Sequence, residues 1–337
     1  MPQIAQTFPY FFLNQGKRRQ AVINGNMDIW QRGTPLNAIS TLDYTADRWT
    51  HYFDGWGGDL NVSKVEVPSA YTEVRRDCQY AMKMEYTAGW TGQTINRFYY
   101  LIPDVHYSNG EIMSIGFWMW ANRAITLPSF KLRQKFGIGG SPSGTVTIPI
   151  TTNISVDTTP RYYQFQVIPA STAGKVIGTS ADDCLSIDLY MPLNEEFTVY
   201  TTGWVINTGD AVLPIVKKSY EETINECYTF YKRFKVLPGN VLAFGQVREA
   251  DKATAIIYYP KMRLNPPKLT MSTAAYWRVE KGGSLYSVSS ITTSLIDDQH
   301  VEIVFNTTGG VLAVGDVVAI RASTDAGYRV VDIQAEF

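Results

Sequence analysis

Three adjacent carboxylate pairs, Asp182-Asp183, Glu195-Glu196 and Asp297-Asp298, are the residues best suited by type to acid–base chemistry. Glycan hydrolysis needs two acids flanking one glycosidic bond. Neighbouring residues on a strand point to opposite faces, however, so such pairs do not by themselves build a site. His51, His106 and His300 lack the HExxH spacing of a zinc site, and neither a G-x-S-x-G nucleophile elbow nor a G-x-x-x-x-G-K-[ST] phosphate loop occurs. The chain therefore reads as no enzyme, the alternative being a polysaccharide depolymerase assembled from distant acids. Binding chemistry is better represented. Trp49, Tyr52, Trp56 and Trp90 lie in Gly-rich surroundings suited to exposed loops, where aromatic faces and planar polar groups can hold sugars. The competing reading places these rings in a core or a subunit interface.

A second aromatic group, Phe8, Tyr10, Phe11 and Phe12, precedes Gly16-Lys17-Arg18-Arg19 and lacks strand periodicity. Residues 1–20 are either an arm that docks on another protein by burying these rings or an ordinary first strand. The apolar run Phe8–Leu13 is far too short to span a bilayer, and no basic segment precedes it as a signal peptide requires. No membrane insertion is expected, and the chain should fold in the cytoplasm in which it is made. Cys78, Cys184 and Cys227 are odd in number and widely separated, so reduced, buried thiols are expected instead of disulfides. Thirty basic against 31 acidic residues give no support to a nucleic-acid partner.

The elements that must position these groups are strands. At 337 residues the chain suits about two domains. Period-2 alternation places Tyr80, Met82, Met84 and Tyr86 on one face and Lys83 and Glu85 on the other; Leu185, Ile187, Leu189 and Met191 alternate in the same way. From 112 to 120, Met113, Ile115, Phe117 and Met119 form one face while Trp118 and Trp120 occupy the other, which predicts a central strand with an apolar or aromatic-binding second side. Further strands are predicted near 60–67, 94–101, 128–136, 160–168 and 197–206, and together they argue for a two-sheet sandwich over residues 21–215. One helix is signalled over 216–237 by the capping box Ser219-Tyr220-Glu221-Glu222, with Lys232, Arg233 and Lys235 expected near its C-terminal end and Leu237-Pro238-Gly239 expected to stop it. Residues 238–337 return to short strands and predict a second, smaller β-sandwich whose last strand buries Val331, Ile333, Ala335 and Phe337.

The segment Ile23-Asn24-Gly25-Asn26-Met27-Asp28-Ile29-Trp30-Gln31-Arg32-Gly33, followed by Tyr44-Thr45-Ala46-Asp47-Arg48-Trp49, resembles the NGNFDIWQRG…YTADRW opening of bacteriophage and prophage virion proteins of the tail-fibre and receptor-binding type. Read on its own, it is a β-rich strand whose Ile23, Met27 and Ile29 alternate with Asn24, Asn26 and Asp28, and whose Gly25 and Gly33 permit turns. Glu226–Phe234 is similar to the ECQRYY-type helix that closes the first domain in that family, with Tyr228 replacing Gln, and Gly327–Phe337 is similar to the family's final strand. The family's Gln-Leu-Glu segment before the helix is replaced here by Trp204–Gly209.

This resemblance implies a jelly roll for the first sandwich and a virion component, a tail fibre or spike, whose N-terminal side docks on other virion proteins and whose outward sandwich meets a bacterial surface polysaccharide. It also implies a homo-oligomer, with three chains around one axis. A capsid decoration, head fibre or tail connector that binds no receptor is the alternative. Carbohydrate-binding modules of jelly-roll architecture have NGxFE openings that resemble Asn24–Asp28. In those modules the acid of the opening can help hold a structural calcium ion, which makes Asp28 a candidate oxygen ligand, against a plain strand-end role. No other cofactor is implied.

Overall fold

Strand Met113–Ala121 is buried along its whole length, and its two faces explain how the first unit is layered. Met113, Ile115, Phe117 and Met119 enter the main core, where Phe117 stacks on Trp204 with ring centroids 3.9 Å apart. Trp118 and Trp120 enter a separate cluster with Val67, Val74, Cys78 and Ala81, against which Ile215 also packs. The apolar second side predicted for this strand is thus covered by the chain itself. The computed structural model describes residues 20–337 except Trp56, Asn109, 264–266, Asp298, Gly310, Asp325, Ala326, Tyr328 and Phe337. Phe8, Tyr10, Phe11 and Phe12 lie outside the described residues, as does Phe337.

The chain divides into Met1–Ile224 and Asn225–Phe337. The first unit is a jelly-roll β-sandwich of two antiparallel five-stranded sheets. One sheet has the order β1 (Trp49–Phe53), β4 (Asn96–Pro103), β9 (Cys184–Tyr190), β6 (Ile125–Lys135), β7 (Val146–Val156). The other runs β2 (Leu60–Glu66), β3 (Tyr80–Tyr86), β10 (Phe197–Thr208), β5 (Met113–Ala121), β8 (Arg161–Val167). Pro149 gives no backbone donor, which suits β7 to its edge position. A six-residue helix, α1 (Thr72–Asp77), carries Val74 into the second cluster; no sequence signal had marked it.

The opening segment corrects one expectation. Residues 21–33 form no strand but a turn-rich loop, with Asn24 and Met27 at φ 59° and 58°. The Asn24 amide donates to the carbonyls of Ile29 (2.9 Å) and Asp47 (3.1 Å) while its oxygen accepts the Ile29 N–H (2.9 Å). These side-chain bonds replace the ladder that a strand would have supplied. Gly25 must be glycine because a Cβ there would lie 2.2 Å from the Trp204 carbonyl oxygen.

The helix α2 (Tyr220–Tyr228) starts as predicted: Glu222 N–H donates to Ser219 Oγ (3.1 Å), and Ser219 N–H donates to the Glu222 carboxylate (2.8 Å). It ends earlier than expected. Lys232, Arg233 and Lys235 belong to a strand, β11 (Tyr231–Val236), paired with β19 (Arg329–Gln334), so they do not serve the helix dipole. The partner strand draws these residues into sheet: β11 pairs with β19 along its length, and Arg233 meets Asp332 directly across the ladder.

The second unit is also all-β. Its strands β12 (Val241–Glu249), β13 (Lys252–Tyr258), β17 (His300–Thr307), β16 (Ser284–Ile296), β15 (Trp277–Lys281) and β18 (Val317–Ala322) close into a barrel around Trp277, Ile303, Phe305 and Ile320. A three-stranded sheet, β11–β19–β14 with β14 at Lys268–Met271, completes it. Val331, Ile333 and Ala335 are buried in this unit, as the sequence predicts.

Candidate functional site

Of the four aromatics singled out for sugar binding, two are core residues. Trp49 is 1% exposed, stacks on Phe98 at 4.8 Å and donates its ring N–H to the Asn24 carbonyl (3.2 Å). Trp90 is buried edge-on against Phe53, and Gly58 abuts its ring. Both are removed from the candidate sugar contacts because apolar area of this size is buried whenever a sandwich offers a core. Trp56 lies outside the described residues. Tyr52 remains half-buried, and it leads to the site.

Register across the first sheet places Tyr52 in a row with Arg97, Tyr190, Ser129 and Thr152. The next row on the same face is Thr50, Tyr99, Asp188, Lys131 and Pro149. A third holds Leu101, Ser186, Arg133 and Thr147, and Lys135 follows opposite Cys184. The alternate residues of these strands, Phe98, Tyr100, Phe130, Leu132, Ile187 and Leu189, fill the core, so the rows form the outer face of the sheet.

The face is organised around a carboxylate that no solvent reaches. Asp188 accepts from Arg97 Nη1 (2.8 Å), Arg133 Nη1 (3.2 Å) and the Ser186 hydroxyl, and its side chain is 0% exposed. The Arg97 guanidinium lies 4.7 Å from the Tyr52 ring centroid and 5.2 Å from that of Tyr99. Lys131 Nζ is 4.5 Å from the Tyr190 ring and Lys135 Nζ 5.6 Å from the Tyr99 ring. Arg97, Lys131 and Lys135 are each thus steadied by a ring. Burial raises the Tyr99 hydroxyl to about 12, against the opposing pull of Arg97. Burial likewise lowers Lys135 from the usual lysine value. Of this set the sequence alone marks only Tyr52; the pairing order brings residues 52, 97, 131 and 190 together.

The remaining candidates are occupied by structural duties. Asp182 accepts the Ile138 N–H and Asp183 the Val105 N–H, each at 2.9 Å, while Glu195 pairs with Arg123. Asp297 accepts the N–H groups of Gln299 and His300. Asp28 lines a cavity with Asn26, Lys64, Arg75, Asp77 and Tyr80. Its carboxyl is pushed up by burial and held down by Lys64, whose Nζ donates to the Asp28 carbonyl (2.7 Å) and lies 3.7 Å from the Tyr80 ring centroid. Among the described residues no three His, Cys, Asp or Glu side chains gather as a metal site. Calcium takes six to eight oxygens; this cavity offers side-chain oxygens from Asn26, Asp28, Asp77, Gln79 and Tyr80 beside the cations Lys64 and Arg75.

No protein-family profile matches this chain, and no curated protein does. Among solved structures it is similar to the family 11 carbohydrate-binding module of a cellulosomal cellulase of Clostridium thermocellum, at 14% identity over 53% of this chain and 97% of that one, with a TM-score of 0.31. The CBM22-1 xylan-binding domain of Xyn10C from Paenibacillus barcinonensis matches at 13% identity, covering 52% of this chain and 94% of its own, with a TM-score of 0.32. A CBM4 module matches at 12% identity, 55% and 98% coverage and a TM-score of 0.32.

Proposed function

We propose that this chain is a bacteriophage virion protein, a homotrimeric tail-fibre or spike component, whose jelly-roll unit binds a bacterial surface glycan through the outer face of β1–β4–β9–β6–β7. The observation that carries the binding reading is the set of register rows that align Tyr52, Tyr99 and Tyr190 with Arg97, Lys131 and Arg133 on one sheet face. Rings supply apolar contact to a sugar's C–H face, and the cations supply donors to its oxygens. The reading is recognition without hydrolysis: glycan hydrolysis needs two acids flanking one bond, and the single carboxylate of these rows, Asp188, is buried and paired with two guanidiniums. The virion assignment rests on the likeness of Asn24–Gly33 and Tyr44–Trp49 to phage tail proteins.

The test combines antibody labelling of intact virions with competition by the purified protein. Labelling at the distal tail and blocking of infection, lost in Tyr190→Ala, is the expected result. Labelling over the head with no blocking would leave the decoration or connector reading and remove receptor binding.

A further inference from the structure

The hydrogen-bonding balance of the same face narrows its ligand, and this step rests on the glycan reading above. The four cations Arg97, Lys131, Arg133 and Lys135 share the rows with one carboxylate, Asp188. That carboxylate is fully buried and already accepts from two guanidiniums and a hydroxyl. Lys131 and Lys135 form no carboxylate ion pair among the described residues, Asp188 being taken by the two guanidiniums, although the whole chain is balanced at 30 basic and 31 acidic residues. What the face offers outward is therefore donors from ammonium and guanidinium groups, with only Ser, Thr and Tyr hydroxyls as side-chain acceptors. A neutral sugar presents hydroxyls that must donate as well as accept, and here they would find few acceptors. An acid-bearing sugar brings the acceptors itself.

The spacing adds a second reason. Lys131, Arg133 and Lys135 occupy alternate positions of one strand. Alternate residues lie about 7 Å apart along a strand. Such a file suits a polymer that carries charge at intervals, more than a single small anion. We infer that this face takes an anionic polysaccharide, its carboxylate or sulfate groups lying along β6 and its sugar rings on Tyr52 and Tyr190.

Binding of the 337-residue chain is measured by calorimetry against polygalacturonate, dextran sulfate, carboxyl-reduced polygalacturonate, dextran and a poly(dT) oligonucleotide, each at two salt concentrations. Binding to polygalacturonate or dextran sulfate is expected, the former identifying carboxylate and the latter sulfate as the group read. Affinity should fall about tenfold for each cation removed in Lys131→Gln and Lys135→Gln, with melting temperature unchanged. Equal affinity for reduced and unreduced polygalacturonate, or binding to dextran alone, would overturn the charge assignment and leave glycan recognition standing. Binding to no polysaccharide would remove both. Poly(dT) bound as tightly as the acidic glycans would mark the face as a general polyanion surface and overturn the inference.

Discussion

Arg97 and Asp188 meet across 2.8 Å on adjacent strands, with the carboxylate wholly buried and the guanidinium continuing outward between the Tyr52 and Tyr99 rings. The pair links fold to face: Asp188 fixes the guanidinium from below, and the guanidinium sets the spacing of the rings. Removing one partner of a buried pair strands the other's charge. Asp188→Ala should cost about 3–5 kcal/mol and weaken glycan binding at the same time. Thermal unfolding followed by near-ultraviolet circular dichroism, run beside the binding assay, checks both; unchanged melting would refute the structural half.

His51 sets an acid limit on the first unit. Its ring is fully buried near Phe98, neither ring nitrogen has a partner among the described residues, and burial lowers its pKa to about 3. Between the ordinary value of 6.5 and about 3 the unfolded chain takes up a proton that the folded chain refuses. Stability from this residue is therefore whole above pH 6.5 and declines as pH falls through that window, by about 1.4 kcal/mol per unit at most. His51→Leu should flatten this part of the profile, as melts at pH 7 and pH 4.5 would reveal.

Gly25→Ala should be among the most damaging small substitutions in the chain. The added carbon would press on the Trp204 carbonyl at 2.2 Å, and backbone cannot swing aside as a flexible side chain can. Overpacking of this kind costs about 1–3 kcal/mol. Soluble yield and melting temperature should both drop, whereas Gly33→Ala meets no neighbour and should show only the milder strain of its φ of 102°.

All three thiols should be silent toward a thiol reagent in the native protein and react on denaturation. Cys78, Cys184 and Cys227 are buried, and burial pushes the Cys78 thiol up to about 12. Any of them reacting at native rates in neutral buffer would contradict that burial.

Removal of residues 333–337 should unfold the smaller unit. Ile333 and Ala335 are buried, and β19 lies between β11 and β14, so the cut takes part of the central strand of its sheet. Limited proteolysis comparing the two units would locate the damage after Ile224.

What could be read from the sequence follows the physics of each element. Alternation in β3, β5 and β9 was legible because one face of each packs a core. Strand β16, Ser284–Ile296, escaped because its run of Ser and Thr shows little contrast between faces. Helix α1 escaped because one buried residue, Val74, cannot make a periodic pattern. Trp49 and Trp90 misled because glycines nearby suggested exposed loops, whereas Gly58 is small in order to admit the Trp90 ring. The site itself was mostly hidden: Arg97, Lys131 and Asp188 look like ordinary solvated charges until register sets them side by side.

The clasp around Asn24 has a consequence for how such chains diversify. Asn24, Asp47 and Trp49 spend their polar atoms on one another and on nearby backbone, Arg48 reaches the Leu101 carbonyl, and the cationic rows lie on the opposite side of the sheet from Trp49. Asn24, Asp47 and Trp49 therefore serve assembly of the scaffold and supply no side chain to the cationic rows proposed for glycan. On the proposed reading, exchange of Tyr52, Tyr190 and the lysines of β6, none of which takes part in the clasp, would change the glycan while these letters stay the same.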